Sequence, residues 1–303
     1  MGDAAQWQGV GTSAGGPIVS ASSNEPTPPA VRPYGPWPPR PFRSDRVKLT
    51  SPAELKTWII HEDEDLLVVN KSGEVVCHPS KFGPTSSLVG SAREYTGLDT
   101  VHLVFRLDRE TSGVVVMAKN PATASRLQKA MQTRHVGKRY LTLLTGERSE
   151  EILVDQPLGQ DIDSPVHVKD HVRPDGKTAQ TRFIPLITRG GFTACEVRPK
   201  TGRKHQIRAH AQWMGNPVVG DKIYGPDPRL FLQFVDEGWT EELQAKLLIR
   251  RQALHCAEID LRPAGLDWVF RADWPADLTQ LTTQYLGSER VELSESTPDS
   301  PSE

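Results

Sequence analysis

Short runs of apolar residues, each closed by turn-forming residues, recur through the middle of the chain. Apolar runs of about four to eight residues bounded by Gly, Asn or Ser are typical of buried strands. They predict strands at LLVV 66–69, VVVM 114–117, RYLTLLT 139–145 and FTACEV 192–197. The first run is followed by the turn formers NKSG, and the third by Gly146.

The segment VHLVFRL at 101–107 alternates between two faces and predicts another strand. One face carries Val101, Leu103, Phe105 and Leu107, and the other carries His102, Val104, Arg106 and Asp108. Such a strand delivers the carboxylate of Asp108 to its end. The polar turn RETSG at 109–113 then leads into the next strand, and its glycine permits a sharp bend.

Two segments predict helices. Asn120 is a good N-cap and Pro121 suits the first helical position. The apolar face of that helix comprises Ala124, Leu127 and Met131, and that of a second helix at 205–214 comprises Ile207, Ala211 and Met214. Because short strands outnumber helices, we expect an α+β fold with a mixed, largely antiparallel sheet rather than a doubly wound parallel one.

The two ends of the chain differ from its middle. The first 46 residues hold nine prolines and many Gly and Ser, which is typical of a disordered or polyproline-like arm. Residues 287–303 carry five acidic residues and one arginine, and predict an acidic disordered tail. One folded domain is therefore expected over 47–286.

Composition excludes several classes of protein. No apolar run approaches the ~20 residues that span a bilayer, and no basic segment with an apolar core opens the chain. Neither a membrane protein nor a secretory leader is expected. Cys77, Cys195 and Cys256 lie far apart, which predicts core residues in a reducing compartment rather than a disulfide framework. We expect a cytoplasmic protein.

The distribution of charge matters more than the net charge of -2. The segments 119–139 and 197–210 are rich in Lys and Arg and contain no Asp or Glu. The negative charges of the acidic tail offset these two basic segments in the net charge of the whole chain. Together they favour a polyanionic partner such as RNA.

Other familiar sites fail on spacing. GKT at 176–178 would need a glycine at position 171 to form a phosphate-binding loop, and His171 stands there. No GxSxG elbow is present. His205 and His210 do not have the i, i+4 spacing that places two metal ligands on one helix face. We expect no metal site, and we leave both histidines out of the catalytic set.

FRLDRETSG at 105–113 resembles HRLDxxTSG, the catalytic signature of the RluA-type pseudouridine synthases. Further segments resemble that family in the same order: HEDEDLLVVNK at 61–71, HP at 78–79, KRYL at 138–141, TGRKHQIRAH at 201–210, GD at 220–221, YG at 224–225 and LH at 254–255. The resemblance spans 58–278 and implies that 47–286 is a catalytic domain with the pseudouridine synthase fold.

The resemblance implies isomerisation of uridine to pseudouridine in RNA without a cofactor. Asp108 matches the family's catalytic aspartate, and Tyr140 matches the ring that packs against the uracil. Arg208 matches the arginine that pairs with the aspartate. An arginine fork can hold a carboxylate through two hydrogen bonds and keep it ionised. Attack of Asp108 on the ribose and attack on the uracil ring both stay open.

The implied partner is ribosomal or transfer RNA, bound by a monomer. Basic candidates for RNA contacts are Arg106, Arg109, Lys138, Arg203 and Lys204. Phe105 replaces the family's usual histidine and cannot donate a hydrogen bond, which bears on the choice of RNA. The Pro-rich arm cannot form the small S4 RNA-binding domain of several relatives, so target selection is expected from the catalytic domain.

Two other functions fit parts of the pattern. A non-catalytic RNA-binding protein on the same fold needs the basic segments, but the joint presence of Asp108, Tyr140 and Arg208 favours the enzyme. A glycoside hydrolase needs a second carboxylate beside the scissile bond, and no second motif supplies one. Taken singly, Tyr140 is compatible with an ordinary strand aromatic and Arg208 with an exposed helix residue.

Overall fold

The computed structural model describes residues 48–78 and 83–295. Its α-helices are Pro52–Lys56 (α1), Leu88–Thr96 (α2), Pro121–Gln132 (α3), Gln206–Trp213 (α4), Arg229–Glu237 (α5), Glu241–Leu247 (α6) and Ala276–Leu286 (α7). Its strands are Ile59–Glu62 (β1), Leu66–Lys71 (β2), His102–Leu103 (β3), Ser112–Ala118 (β4), Gly137–Thr145 (β5), Ile152–Asp155 (β6), Leu158–Gln160 (β7), Asp170–Val172 (β8), Gln180–Arg189 (β9), Phe192–Pro199 (β10), Leu254–Asp260 (β11) and Val269–Arg271 (β12). The predicted Pro-rich arm lies outside these residues.

Ten strands form one mixed sheet in the order β1-β2-β4-β11-β5-β10-β9-β6, with β3 beside β4 and β12 beside β11. β4 and β11 run parallel, and the other named pairings of this sheet are antiparallel. β7 and β8 form a separate antiparallel pair. The expected α+β fold with a mixed, largely antiparallel sheet is confirmed.

The centre of the sheet is buried on both faces. Every residue of β4 and of β11 is buried. Strands covered on both sides are apolar throughout rather than alternating, which explains the VVVM run. α3 begins where the sequence predicts, because the Asn120 side chain accepts a hydrogen bond from the Thr123 amide at 2.9 Å.

The strand expected over 101–107 is wrong beyond its first residues. β3 covers only His102–Leu103; the Val104 amide still donates to the carbonyl of Val116 in β4 at 3.2 Å, and the chain bends at residues 104–105. Val104, which was predicted to share a face with Asp108, is buried, whereas Leu103 and Phe105 of the predicted apolar face are half-buried, so burial does not alternate as predicted. Tertiary context overrides the local pattern here: pairing with β4 stops, and Asp108 lies in a loop rather than at a strand end.

Residues 287–295 pack against the sheet, although their composition predicts a disordered tail. Val291 is buried, and the amide and hydroxyl of Ser294 donate to Glu196 at 2.7 and 2.8 Å. Glu196 of β10 also accepts hydrogen bonds from Arg139 and Arg198. The described fold therefore continues beyond residue 286. The remainder of the predicted tail, 296–303, lies outside the described residues.

Within the described ranges, no helix is long and apolar enough to cross a membrane. The three cysteines are buried and form no disulfide, as expected of core residues. Cys195 and Cys256 lie in β10 and β11, near the middle of the sheet.

Candidate active site

Asp108 lies in the loop between β3 and β4, beside a cavity of about 190 Å³. The loop, β5, β11 and α4 share its wall, which includes Phe105, Arg106, Tyr140, Leu254, Ile207 and Arg208. The Asp108 side chain is 29% exposed, so its carboxylate is accessible from the cavity. Distant parts of the chain therefore converge on this one carboxylate.

Buried donors hold the backbone on both sides of Asp108. The Lys71 ammonium donates to the carbonyl of Arg109 at 3.1 Å, and the Cys77 thiol donates to the carbonyl of Leu107 at 3.4 Å. Burial lowers the pKa of Lys71 to about 8, because its charge is removed from water. These bonds on the two flanking carbonyls restrict how far the backbone of Asp108 can shift.

Arg208 bridges two carboxylates. Its Nη1 donates to Oδ2 of Asp108 at 2.9 Å, while Nε and Nη2 donate to Asp221 at 2.6 and 2.9 Å. Asp221 also accepts from the amides of Ile223 and Tyr224, both at 2.9 Å. The two-pronged contact expected on Asp108 therefore lies on Asp221, and Arg208 reaches Asp108 with its remaining nitrogen.

Asp221 is a candidate site residue that the sequence reasoning missed. It appeared only as part of the GD segment, and its partner lies 13 residues earlier, across the end of α4 and a loop. Its side chain is fully buried and surrounded by donors. Asp221 therefore orients Arg208, and it is not placed to serve as the second carboxylate of a glycoside hydrolase.

The environment keeps Asp108 ionised. Burial alone would raise the pKa of Asp108, but the positive charge and hydrogen bond of Arg208 outweigh it, so the pKa lies below the ordinary value. A protonated His205 acts in the same direction through its charge, with Nε2 3.9 Å from Oδ1 of Asp108. At neutral pH the carboxylate is therefore negative and held in place.

Tyr140 presents a neutral ring to the same cavity. It lies in β5 opposite Cys256 of β11, and its side chain is buried. Burial, and then the neighbouring Cys256, raise the pKa of Tyr140 well above its ordinary value. A phenol that stays protonated suits packing against a flat ring more than it suits accepting a proton.

Three of the five basic candidates line the cavity: Arg106, Lys138 and Arg203. Arg109 points elsewhere, with its Nε donating to the carbonyl of Glu74 at 3.2 Å. Lys204 is exposed and forms an ion pair with Asp170 at 2.8 Å. Arg109 and Lys204 are adjacent in sequence to residues that line the cavity, but they do not line it themselves.

A larger basic groove of about 660 Å³ adjoins the cavity and shares Met131, Lys138 and Arg203 with it. Its basic lining residues are Arg134, His135, Lys138, Arg139, Arg198, Lys200 and Arg203, and no acidic residue contributes to its wall. These residues come from the ends of the two acid-free segments, 119–139 and 197–210. The fold thus joins two charge runs that are distant in sequence.

Within 48–78 and 83–295, no cluster of three or more His, Cys, Asp or Glu side chains is arranged to hold a metal ion. His210, which was also left out of the catalytic set, donates from Nε2 to the carbonyl of Gln156 at 2.9 Å, and its Nδ1 lies 2.8 Å from the Thr181 hydroxyl in the core.

Known proteins resemble the chain over most of its length. The family model for RNA pseudouridylate synthases matches residues 65–213. The chain is 34% identical over 248 residues to the uncharacterized RNA pseudouridine synthase YjbO of Bacillus subtilis, covering 79% of this chain and 81% of that protein. It is 31% identical to ribosomal large subunit pseudouridine synthase D of Yersinia pestis, covering 76% of this chain and 71% of that protein.

Solved structures share the fold. Human RNA pseudouridylate synthase domain containing 4 superposes with a TM-score of 0.62 at 24% identity, covering 78% of this chain and 95% of that one. Human RNA pseudouridylate synthase domain containing 1 gives a TM-score of 0.56 at 23% identity, covering 77% and 85%.

Proposed function

The chain belongs to the RluA-type RNA pseudouridine synthases, an isomerase family, and on that premise we propose that it modifies a uridine of large-subunit ribosomal RNA with Asp108 as its catalytic carboxylate. The observation that carries the proposal is the Asp108 carboxylate itself. It is accessible from the cavity, and Arg208 holds it ionised at 2.9 Å.

The isomerisation needs an ionised carboxylate and the removal of one proton from C5, with the return of one proton to N1. The bond from N1 of uracil to C1′ of ribose breaks, a bond from C5 to C1′ forms, the C5 proton leaves and N1 regains one. Atoms and electrons balance within the nucleotide, so the step calls for no co-reactant. Asp108 supplies the negative charge, whether it attacks the ribose or the uracil ring.

The target base has to leave its stack to reach Asp108, at a cost of about a few kcal/mol. The Tyr140 ring offers a buried surface on which the extruded uracil can pack, which returns part of that cost. Phe105 lines the same cavity and adds apolar surface, where the family's usual histidine would add a donor.

The basic groove is the proposed path of the RNA backbone on leaving the cavity. Lys138 and Arg203 lie at the junction of the two, and Arg134 and Lys200 continue along the groove. Phosphates bound there would anchor the flanking nucleotides while the cavity accepts the base. Arg106 is exposed at the cavity and is proposed to contact the target nucleotide.

Ribosomal RNA is favoured because the relative from Yersinia pestis is named for the ribosomal large subunit. Transfer RNA is the alternative that the test has to separate. A cytoplasmic location and a monomeric state, both expected from the sequence, stay predictions.

The test compares pseudouridine maps of RNA from cells with and without the gene. We expect a position in large-subunit ribosomal RNA to lose its pseudouridine, and purified protein to restore it in RNA from the deletion cells. A change confined to transfer RNA would contradict the proposed substrate. Unchanged maps together with no conversion by the purified protein would contradict the proposed function.

A further inference from the structure

We propose that His205 is a positioning residue of this site, acting through Asp108 as a neutral hydrogen-bond donor to the oxygen that Arg208 leaves free. The inference rests on the proposed role of Asp108. Arg208 bonds to Oδ2 of Asp108 at 2.9 Å, whereas Nε2 of His205 lies 3.9 Å from Oδ1. The carboxylate is thus placed between a guanidinium and an imidazole, one beside each oxygen.

The hydrogen bonds of Tyr224 determine which imidazole nitrogen carries the proton. The Asp170 amide donates to Oη of Tyr224 at 2.9 Å, and Oη lies 3.0 Å from Nδ1 of His205. Among the described residues, Nδ1 is the acceptor available to the Tyr224 hydroxyl. The hydroxyl therefore donates to Nδ1, which leaves the proton of a neutral imidazole on Nε2, the nitrogen that faces Asp108.

His205 is neutral at physiological pH. Burial, followed by the positive charge of Arg208, lowers the pKa of His205 to about 4. Two full cations around Asp108 would hold the carboxylate tightly and blunt its reactivity, whereas a neutral N–H adds direction with little charge. Closing the 3.9 Å gap by about 1 Å makes a normal hydrogen bond, and catalytic contacts often tighten in this way once substrate binds.

The backbone of His205 places its side chain at the start of α4. Its φ is +54°, in the left-handed region, immediately before α4. Histidine and asparagine are among the residues that occupy this region more often than other non-glycine residues do. Asparagine can therefore replace His205 without a conflict with the backbone, and the substitution tests the imidazole ring itself.

Two variants at position 205 differ in whether the side chain can reach Asp108. In His205→Asn the side chain tolerates the left-handed conformation but is too short to reach Asp108. In His205→Gln the amide nitrogen reaches about as far as Nε2 and restores a donor. His210→Asn is the matched control, since His210 is a buried histidine of α4, five residues after His205, that faces Thr181 and Gln156 instead of Asp108.

The measurements are the single-turnover rate on saturating RNA, the Kd for that RNA, and the melting temperature. We expect His205→Asn to slow turnover by about 10- to 100-fold, the size of effect that misplacing a reacting group produces, with Kd unchanged. His205→Gln should recover most of the rate. His210→Asn should lower the melting temperature while the folded protein keeps the wild-type rate.

The pH–rate profile distinguishes a positioning role of His205 from a purely structural one. The groups that face Asp108 are Arg208 from α4, His205 immediately before α4, Asp221 after it, Tyr140 from β5, and Lys71 and Cys77 from β2 and the loop that follows. The cations Arg106, Lys138 and Arg203 line the same cavity. A donor to the carboxylate lowers its pKa, so its loss raises that pKa. The acid limb of the profile should therefore move to higher pH in His205→Asn and return in His205→Gln.

An active wild-type enzyme whose His205→Asn variant keeps both rate and acid limb would overturn this inference while leaving the proposed function intact. Equal losses in His205→Asn and His205→Gln, matched by equal falls in melting temperature, would also overturn it, since they would indicate a structural role. A wild-type protein that forms no pseudouridine on any RNA would instead overturn the proposed function.

Discussion

Arg208 is shared by two carboxylates that compete for its five N–H groups. It is almost fully buried, as is Asp221, so neither charge can be solvated if the contact is lost. A lysine retains the positive charge but offers a single point of contact on a flexible stem, whereas the guanidinium is planar and can bond in two directions at once. The geometry of the site therefore depends on arginine in particular.

Arg208→Lys is expected to reduce the single-turnover rate severely, because the single ammonium of Lys cannot reproduce the planar two-nitrogen contact with Asp221 while a third nitrogen bonds to Asp108. Losing one partner of a buried pair typically costs about 3 to 5 kcal/mol, and Lys should cost less than Ala. Arg262→Lys is the control, since Arg262 is an exposed arginine that also pairs with a buried aspartate, Asp260, but does not line the cavity. Wild-type rates in Arg208→Lys and Arg208→Ala would show that Arg208 does not hold the carboxylate.

The individual site residues were predictable to different degrees. Asp108, Tyr140 and Arg208 lie in motifs whose resemblance to a family assigns each a role, and the three meet at one cavity. Asp221 and the ring of His205 were not predicted as functional, because their importance arises from contacts between segments. No periodicity along the chain records that Tyr224 bonds to His205.

At the scale of elements, β5, β10 and the segment after α7 are joined by a buried polar network around Glu196. Burial alone would raise the pKa of Glu196, but hydrogen bonds from Arg139, Arg198 and Ser294 lower it from 4.5 to about 2. The network anchors the edge of the basic groove, because Arg139 and Arg198 both line it.

Glu196→Gln is expected to destabilise the fold strongly at pH 7 and less at pH 3. A carboxylate whose folded pKa is depressed contributes stability above pH 4.5 that is lost as the pH falls toward 2. The measurement is the free energy of unfolding in urea at both pH values. Glu151→Gln, which alters an exposed pair with Arg182, is the control. A difference from wild type that is the same at pH 7 and pH 3 would contradict this assignment.

Elements with strong local signals were predicted well. The apolar run of β4 and the Asn-Pro start of α3 both lie where expected, because burial and capping are local causes. The prediction of a strand over 101–107 is wrong after Leu103, because the bend that follows depends on where β3 stops pairing with β4. The placing of residues 287–295 depends likewise on Glu196, which is distant in sequence.

For the whole molecule, the net charge of -2 does not indicate how charge is distributed over the surface. The basic groove gathers cations from two distant segments, and no acid contributes to its wall. Binding of RNA there releases counterions from the phosphates, so affinity should depend steeply on salt.

The log–log plot of RNA affinity against salt should have a steep negative slope, of about -0.7 per phosphate contact for a single strand. The double variant Arg134→Ala, Lys200→Ala should make the slope shallower, since both residues line the groove. Arg290→Ala removes an exposed cation outside the groove and should leave the slope unchanged. A flat salt dependence in the wild type, or equal slopes in all three proteins, would exclude the groove as the RNA path.

The most direct test of the central claim is the single-turnover yield of pseudouridine by Asp108→Asn on the RNA that the wild type modifies. The swap is nearly isosteric and leaves the basic groove intact, so Kd should stay close to that of the wild type. Asp175→Asn, at an exposed aspartate, should retain full turnover. The account predicts that the Asp108→Asn variant binds the RNA but forms no pseudouridine. Conversion by that variant at the wild-type rate would contradict it.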